Sequence, residues 1–442
     1  MGLYSAIAYA QEAVNPPLAT TAVPPSQVDA LTAGSVNCFD YYHFDSVQVD
    51  VSPNLKTPAN GVSLNFSGTI KNTNEYPIVD GQVYAKIFYK SEKDDSLAHQ
   101  NSYPLVAQFI VSDGVNLGAK EIKPISFDWK VPRYAQSGDY EIAMYFTSAH
   151  RYNLLGLSFT DDVTGNKTEF SVLGNSPQIA TFDKNTVQFN DEPFRFAAFP
   201  LHFSKDENVK ASATIINPTN KPTTVTLTWK AYAWDAMLPE HLKDMKMDVV
   251  MLNPNEKKVV SYAVPFIESS VSYVVAEARV GDATSLLDMR FVRDGIEETR
   301  INFPGVQRYP LIKGQENTLF SCMHSTNMSV VKDNILTLTL NDEKGGVIHA
   351  YSYSGDITAN MMGMKDTFTP KKSLSTFSLT AKLEHGGKVV ETETLHYDCK
   401  QIDPTQCNTE TPAPYPTSLI IVIMLFVVAV GIYLKKKNIT TV

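Results

Sequence analysis

The feature that most constrains this chain is an uncharged apolar run at residues 418–434 (SLIIVIMLFVVAVGIYL), which Lys435, Lys436 and Lys437 follow. As a helix this run would be about 26 Å long, close to the hydrocarbon thickness of a bilayer. Its side chains favour membrane insertion by roughly 4 to 7 kcal/mol. A buried core helix is the alternative interpretation, but such a helix rarely lacks a polar face. We therefore expect one C-terminal transmembrane helix at 418–434.

The charges around the apolar run predict its orientation. Cytoplasmic flanks of membrane helices carry the excess of Lys and Arg, and residues 408–416 upstream contain neither. The expected topology is single-pass type I in the cell membrane, with residues 435–442 as a cytoplasmic tail and the body outside. Ala8 and Ala10 have the small-x-small spacing of a signal-peptidase site, so residues 1–10 are interpreted as the remnant of a signal peptide.

Apolar residues alternate with polar ones in many short runs of the body, which is typical of half-buried β-strands. Such runs include Leu64, Phe66 and Ile70; Val83, Ala85 and Ile87; Ile125, Phe127 and Trp129; Tyr140, Ile142 and Met144; Leu336, Leu338 and Leu340; and Phe377, Leu379 and Leu383. Turn residues separate the runs, as in His385-Gly386-Gly387-Lys388, where a hairpin is expected. One stretch, residues 238–247, is predicted to be helical.

The chain of 442 residues is too long for a single core, so we expect several domains. The fold class is predicted as all-β, with tandem Ig-like antiparallel β-sandwich domains followed by the transmembrane helix. The expected limits are a Pro/Ala/Thr-rich linker at 11–37, sandwiches at 38–175, 176–302 and 303–404, and a stalk at 405–417.

The first two domains repeat each other in sequence. Thr69 to Asn72 with the later Pro77 match Thr214 to Asn217 with the later Pro222, and residues 117–132 resemble residues 252–265. A repeat of this length indicates a duplicated domain and not a solenoid unit.

An Asn-containing turn with a proline, then K-P-x-x-x-x-W-x-V-P at residues 123–132 and S-G-D-Y at residues 137–140, follow one another in the first domain. This order resembles bacterial and archaeal Ig-like cell-surface domains of the CARDB (cell-adhesion-related) type. The resemblance extends to the second domain without the tryptophan. It implies a seven-stranded sandwich used as a spacer or adhesive module, and it transfers no catalytic residue.

The chain contains four cysteines, Cys38, Cys322, Cys399 and Cys407, without C-x-x-C spacing. Disulfides are the usual state of cysteines in exported proteins. We predict a bridge between Cys322 and Cys399, because it would join the terminal strands of the third domain. Bridges from Cys407 to Cys399 or to Cys322 remain alternatives, and the pairing of Cys38 and Cys407 stays open.

No nucleophile elbow, zinc-protease motif, P-loop, dinucleotide-binding motif or EF-hand loop occurs in the sequence. Catalytic, cofactor-binding and metal-binding residues are therefore expected to be absent. Met245, Met247 and Met251 belong to methionine clusters whose thioethers could hold Cu(I), although core filling is the simpler interpretation. A formal net charge of −9 makes nucleic acid an unsuitable partner.

These observations favour a non-enzymatic, membrane-anchored cell-surface protein with a structural or adhesive role. Its expected partners are other surface proteins or a wall or extracellular polymer, besides the lipid bilayer around its single helix. The alternative is an accessory subunit of a membrane-bound transport or secretion assembly, which would contact its partners through the helix or the third domain. The eight-residue tail at 435–442 is too short to carry a signalling domain, so any signal would need a partner.

Overall fold

The computed structural model describes residues 35–36, 47–90, 103–148, 167–174, 179–194, 201–233, 239–325, 330–357 and 362–407. Among these residues no helix is long and apolar enough to cross a membrane. The apolar run at 418–434, Lys435 to Lys437, Ala8, Ala10 and Cys38 all lie outside the described residues.

The described part of the chain consists almost entirely of β-strands. The strands before residue 175 are β1 (Ser35–Val36), β2 (Val47–Pro53), β3 (Ser63–Asn72), β4 (Ile78–Tyr89), β5 (Leu105–Leu117), β6 (Ile122–Lys130), β7 (Gly138–Ser148) and β8 (Thr168–Val172). The next are β9 (Thr181–Phe189), β10 (Glu192–Pro193), β11 (Leu201–Ser204), β12 (Val209–Ile216), β13 (Thr223–Ala233), β14 (Leu242–Leu252), β15 (Lys257–Val264), β16 (Val271–Val280) and β17 (Ala283–Asp294).

The last strands are β18 (Thr299–Val306), β19 (Asn317–Ser325), β20 (Val331–Asp342), β21 (Val347–Ile357), β22 (Met362–Phe368), β23 (Thr376–His385) and β24 (Lys388–Asp398). A four-residue helix, α1 (Cys399–Ile402), follows them, and two short 3₁₀ helices occupy Pro239–His241 and Pro404–Cys407.

Three apolar cores organise these strands into three sandwiches. The first sandwich (residues 47–174) packs β2, β3 and β6 against β4, β5, β7 and β8, and the second (residues 179–294) packs β9, β10, β12 and β15 against β13, β14, β16 and β17. The third (residues 299–407) packs β18, β19 and β22 against β20, β21, β23 and β24. The predicted all-β architecture with antiparallel pairing is confirmed, although β11 pairs with β17 in parallel.

The alternation predicted from sequence decides which side chains enter these cores. Leu64 and Phe66 on β3 and Leu336 and Leu338 on β20 are fully buried, as expected of inward-facing positions. The hairpin prediction is also confirmed, since His385 pairs with Lys388 around two glycines with positive φ.

A buried asparagine turn occurs at the same place in the first and second sandwiches. The side-chain Nδ2 of Asn72 donates to the carbonyls of Tyr76 (2.8 Å) and Gly118 (2.9 Å), and that of Asn217 donates to Lys221 and Asn253 (2.8 Å each). In each sandwich this amide joins the turn after one strand to the turn two strands further along. The same turn geometry therefore occurs at the two places where the sequence repeats.

A carboxylate completes each of these turns. Glu121 accepts the backbone N–H of Gly118 through Oε2 at 2.6 Å, and Glu256 accepts that of Asn253 at 2.6 Å. The loops containing these glutamates are the beginnings of the two segments, 117–132 and 252–265, that resemble each other in sequence.

The helix predicted at 238–247 is wrong. Only Pro239–His241 form one 3₁₀ turn, and the residues from Leu242 onward form β14. Lys and Met have good helix propensity, but nine consecutive pairings with β13, and a tenth beyond a bulge, outweigh that local preference.

The predicted Cys322–Cys399 disulfide is also wrong. Cys399 bonds to Cys407, with Cα atoms 5.1 Å apart, because α1 and the following 3₁₀ turn reverse the chain within eight residues. Cys322 lies on β19 in the opposite sheet of the third sandwich, where it is buried between Asn302 and Gly363. It also takes part in a disulfide.

Peptide mapping under non-reducing conditions should therefore recover Cys399 linked to Cys407. We expect Cys322 to be linked to Cys38, the fourth cysteine of the chain, because β1 places Ser35 and Val36 beside Met364 and Gly363, next to Cys322. A peptide joining Cys322 to Cys399 would contradict both assignments. Replacing Cys399 and Cys407 with Ala should lower stability by about 2 to 3 kcal/mol, since the loop that they close is short.

Candidate functional site

The junction between the first and second sandwiches combines an apolar contact with a buried ion pair. β5 and β17 meet at Leu105 and Leu286, which makes one continuous sheet of strands from both sandwiches. Leu286 packs against aromatic clusters on both sides, Tyr84, Phe88 and Tyr145 in the first sandwich and Tyr232 and Tyr273 in the second. The two sandwiches therefore share an apolar interface.

An ion pair lies within this interface. The Lys86 ammonium on β4 is 2.5 Å from Asp288 Oδ2 on β17, and Lys86 is only 1% exposed. Tyr273 donates its hydroxyl to the same carboxylate oxygen at 3.3 Å, and the ammonium lies 5.4 Å from the centre of the Tyr145 ring. Removing one partner would leave the other charge buried and uncompensated, so the loss of either side chain should destabilise the junction.

Hydrogen bonds to loops reinforce the same junction. The Asp282 carboxylate accepts the backbone N–H groups of Arg133 (3.0 Å) and Tyr134 (3.2 Å), and Lys184 Nζ donates to the carbonyl of Tyr103 at 2.6 Å. Gly281 lies directly against the Tyr134 ring, where a Cβ atom would approach to 2.5 Å. These contacts restrict rotation of one sandwich relative to the other.

The pKa of the Asp288 carboxyl depends on two opposing effects, its burial and the positive charge of Lys86. Burial alone would raise this pKa, but the charge and hydrogen bond of Lys86, with weaker help from Lys184 and Arg290, hold it below its ordinary value. A carboxyl with a lowered pKa contributes stability that is complete above its unfolded pKa of about 3.9 and is lost as the pH falls through the folded value.

The stability difference between wild type and Asp288→Asn should therefore be constant near neutral pH and should shrink below about pH 4. Urea unfolding of both proteins at matched pH values measures this difference. The Asn side chain cannot ionise, so subtracting its curve removes the effect of the other carboxyl groups. A difference that grows as the pH falls would contradict the assigned pKa direction.

A cleft of about 480 Å³ opens beside the junction, between the first and second sandwiches. Its walls are mainly apolar and include three aromatic rings and three prolines: Tyr89, Trp129, Tyr140, Pro104, Pro132 and Pro218. Such a volume at a domain interface is within the range of small-ligand sites.

The cleft offers little acid–base chemistry. No Lys, Arg, His, Asp or Glu is among the described residues that line it. Burial raises the pKa of the Tyr140 hydroxyl, which donates to the carbonyl of Gln136 at 2.7 Å, so this phenol stays neutral. The cleft can hold an apolar or aromatic group, but its lining supplies no general acid or base for a reaction near neutral pH.

The third sandwich contacts the first through the end of the chain's only described α-helix. Lys123 Nζ donates to the carbonyls of Asn116 (2.7 Å) and Gln401 (3.0 Å), and the Asn116 amide donates to Gln401 Oε1 at 3.1 Å. Tyr76 and Phe320 stack edge to face at 5.6 Å in the same region. All three sandwiches are thus joined by specific side-chain contacts.

The methionines divide into two groups in the structure. Met323 and Met364 are buried in the third core, so they fill space between strands as the simpler interpretation holds. Met245, Met247 and Met251 are exposed along β14. Among the described residues no group of three His, Cys, Asp or Glu side chains is arranged to hold a metal ion.

Two Asp–His pairs were missed by sequence reasoning. His202 Nδ1 lies 2.8 Å from Asp294 Oδ1, and His349 Nε2 lies 2.7 Å from Asp366 Oδ2. The first pair joins residues 92 apart in the chain and the second joins the consecutive strands β21 and β22, and neither has a spacing that marks a known motif. The His349 ring also stacks on Phe368 at 4.7 Å.

The chain matches no protein-family model and no curated protein, so the CARDB-type resemblance stays a prediction. Its fold is similar to parts of trypsin-activated α-2-macroglobulin from Escherichia coli, at 11% identity and a TM-score of 0.33. Salmonella α-2-macroglobulin reacted with methylamine matches at 11% identity and a TM-score of 0.32. Each of these two matches covers 80% of this chain but only 23% of the matched protein.

Red sea bream transglutaminase gives 12% identity and a TM-score of 0.25, over 48% of this chain and 31% of that chain. The present chain thus spans less than a third of the length of these solved proteins.

Proposed function

We propose that this chain is a non-enzymatic, membrane-anchored cell-surface protein whose sandwiches act as a stiff structural or adhesive spacer. The observation that carries the proposal is the junction of the first two sandwiches. A flexible string of domains needs no buried ion pair, yet Lys86 and Asp288 are joined across this junction beside a shared sheet. Fixed geometry between domains is what a spacer requires.

The chemistry of the described residues is consistent with a role in binding rather than catalysis. The cleft between the first and second sandwiches has an apolar and aromatic lining without charged groups among the described residues. Surface localisation rests on the apolar run at 418–434 and its lysines, and the CARDB-type sequence pattern agrees with an adhesive use. Wall polymers or other surface proteins are the proposed partners.

Vesicle binding tests this function. The full-length protein is reconstituted into fluorescent phospholipid vesicles, which are mixed with the envelope fraction of the producing cells. We expect binding well above that of protein-free vesicles and displacement by excess detergent-solubilised protein, because many weak contacts act together on a vesicle. Binding at the level of protein-free vesicles would contradict adhesion.

Purification from native membranes distinguishes this proposal from the alternative, an accessory subunit of a membrane assembly. An accessory subunit of a transport or secretion assembly would co-purify in fixed stoichiometry with multispanning membrane proteins. A spacer or adhesin should instead be recovered without such a constant partner.

A further inference from the structure

The outer edge of the second sandwich presents an exposed apolar row. β14 is the terminal strand of the large sheet, and among the described residues it pairs only with β13. Met245, Met247, Val249 and Met251 alternate along one face of β14 and are between 55% and 72% exposed. An open apolar edge of this kind is a template for another strand.

β14 is long for an edge strand, at 11 residues, and carries only some of the devices that protect such strands. It contains no proline, and its only irregularity is a bulge at the start, where its pairing to β13 shifts between Asp244 and Leu242. Lysines usually block edge pairing by charge repulsion. Here Lys246 is accompanied by Asp248, whose carboxylate lies 3.0 Å away, so the middle of the strand carries both signs of charge.

We propose that β14 pairs in antiparallel fashion with β14 of a second copy of this chain, about a two-fold axis at Met247. In this register Lys246 faces Asp248 of the second copy, and the symmetry repeats this pair on the other side of the axis. Met245 faces Val249, so the apolar rows of the two copies lie next to each other.

Charge selects this register over its neighbours. Centring the axis one residue earlier places Lys246 against Lys246 and Asp244 against Asp248. Centring it one residue later places Asp248 against Asp248. Like charges directly opposite each other destabilise a strand pair, whereas the Met247 register has only opposite charges or apolar residues beside its centre.

Cysteine cross-linking in the full-length protein in detergent tests the register. Met247→Cys should form an intermolecular disulfide in high yield, because opposing Cα atoms across two antiparallel strands are about 4.5 to 5.5 Å apart, within disulfide range. Met251→Cys is the matched control, because Met251 is 63% exposed and Met247 is 58% exposed. In the proposed register Met251 faces Lys243 of the second copy, so Met251→Cys should form little disulfide. Equal cross-linking of both variants, or none of either, would overturn the proposal.

Charge exchange provides a second, independent measurement by sedimentation equilibrium. Lys246→Asp and Asp248→Lys alone should each weaken dimerisation by at least about tenfold, because both symmetric pairs become repulsive. Combining the two substitutions restores opposite charges and should restore the dimer. Ile122→Lys, on an equally exposed residue of the first sandwich, should have no effect. A monomeric wild type, or single and combined variants that dimerise equally, would overturn the proposal.

Discussion

Replacing Lys86 with Met should lower the free energy of unfolding of the joined first and second sandwiches by about 3 to 5 kcal/mol. The substitution keeps most of the side-chain volume but removes the ammonium, which lies 2.5 Å from Asp288 inside the interface. The Asp288 carboxylate would then remain buried without its counter-charge. Urea unfolding of the full-length protein in detergent, followed by tyrosine and tryptophan fluorescence, measures the loss.

Lys90→Met is the matched control for this prediction. Lys90 pairs with Glu169 close to Lys86 along the chain, but the Glu169 side chain is 63% exposed. An exposed pair contributes less than about 1 kcal/mol, so this control should change stability little. Adding Asp288→Leu to Lys86→Met should recover most of the loss, since neither charge of the pair then remains buried without its partner. Equal effects of Lys86→Met and Lys90→Met would show that the buried pair does not hold the junction.

Local patterns in the sequence predicted much of the secondary structure. The alternation at Leu64, Phe66 and Ile70 identifies the inward face of β3 because strand geometry places every second side chain on one side. The glycines after His385 identify a hairpin because they tolerate positive φ. The second sandwich was predictable as a copy of the first because the same asparagine turn occurs in both.

Long-range pairing could not be predicted in this way. Lys86 and Asp288 are 202 residues apart, and no recognisable sequence motif indicates that they pair. The disulfide prediction was wrong for a different reason: it weighed the benefit of closing a long loop without knowing that α1 and the following 3₁₀ turn bring Cys407 back to Cys399. The exposed methionines of β14 were recognised as a cluster, but their position on an open edge required the fold.

Replacing Asn217 with Ala should destabilise the second sandwich by about 3 kcal/mol, because buried carbonyls that lose a donor each cost about 1 to 3 kcal/mol. Asn217 is fully buried, and its amide donates to the carbonyls of Lys221 and Asn253 while its Oδ1 accepts the backbone N–H of Thr219 at 3.1 Å. Alanine preserves none of these bonds. Asn217→Asp should be worse, since a carboxylate would face the same two carbonyls without a donor.

The duplicated turn makes this prediction internally controlled. Asn72→Ala removes the equivalent bonds to Tyr76 and Gly118, so it should destabilise the first sandwich by a similar amount. Asn220→Ala, at an exposed position in the same turn as Asn217, should stay within about 0.5 kcal/mol of wild type. Hydrogen exchange followed by mass spectrometry localises each loss, with faster exchange expected first in β12 and β13 for Asn217→Ala and in β3 and β4 for Asn72→Ala. If Asn217→Ala were as stable as Asn220→Ala, the turn would be held by its backbone alone, and the shared asparagine would have no structural role.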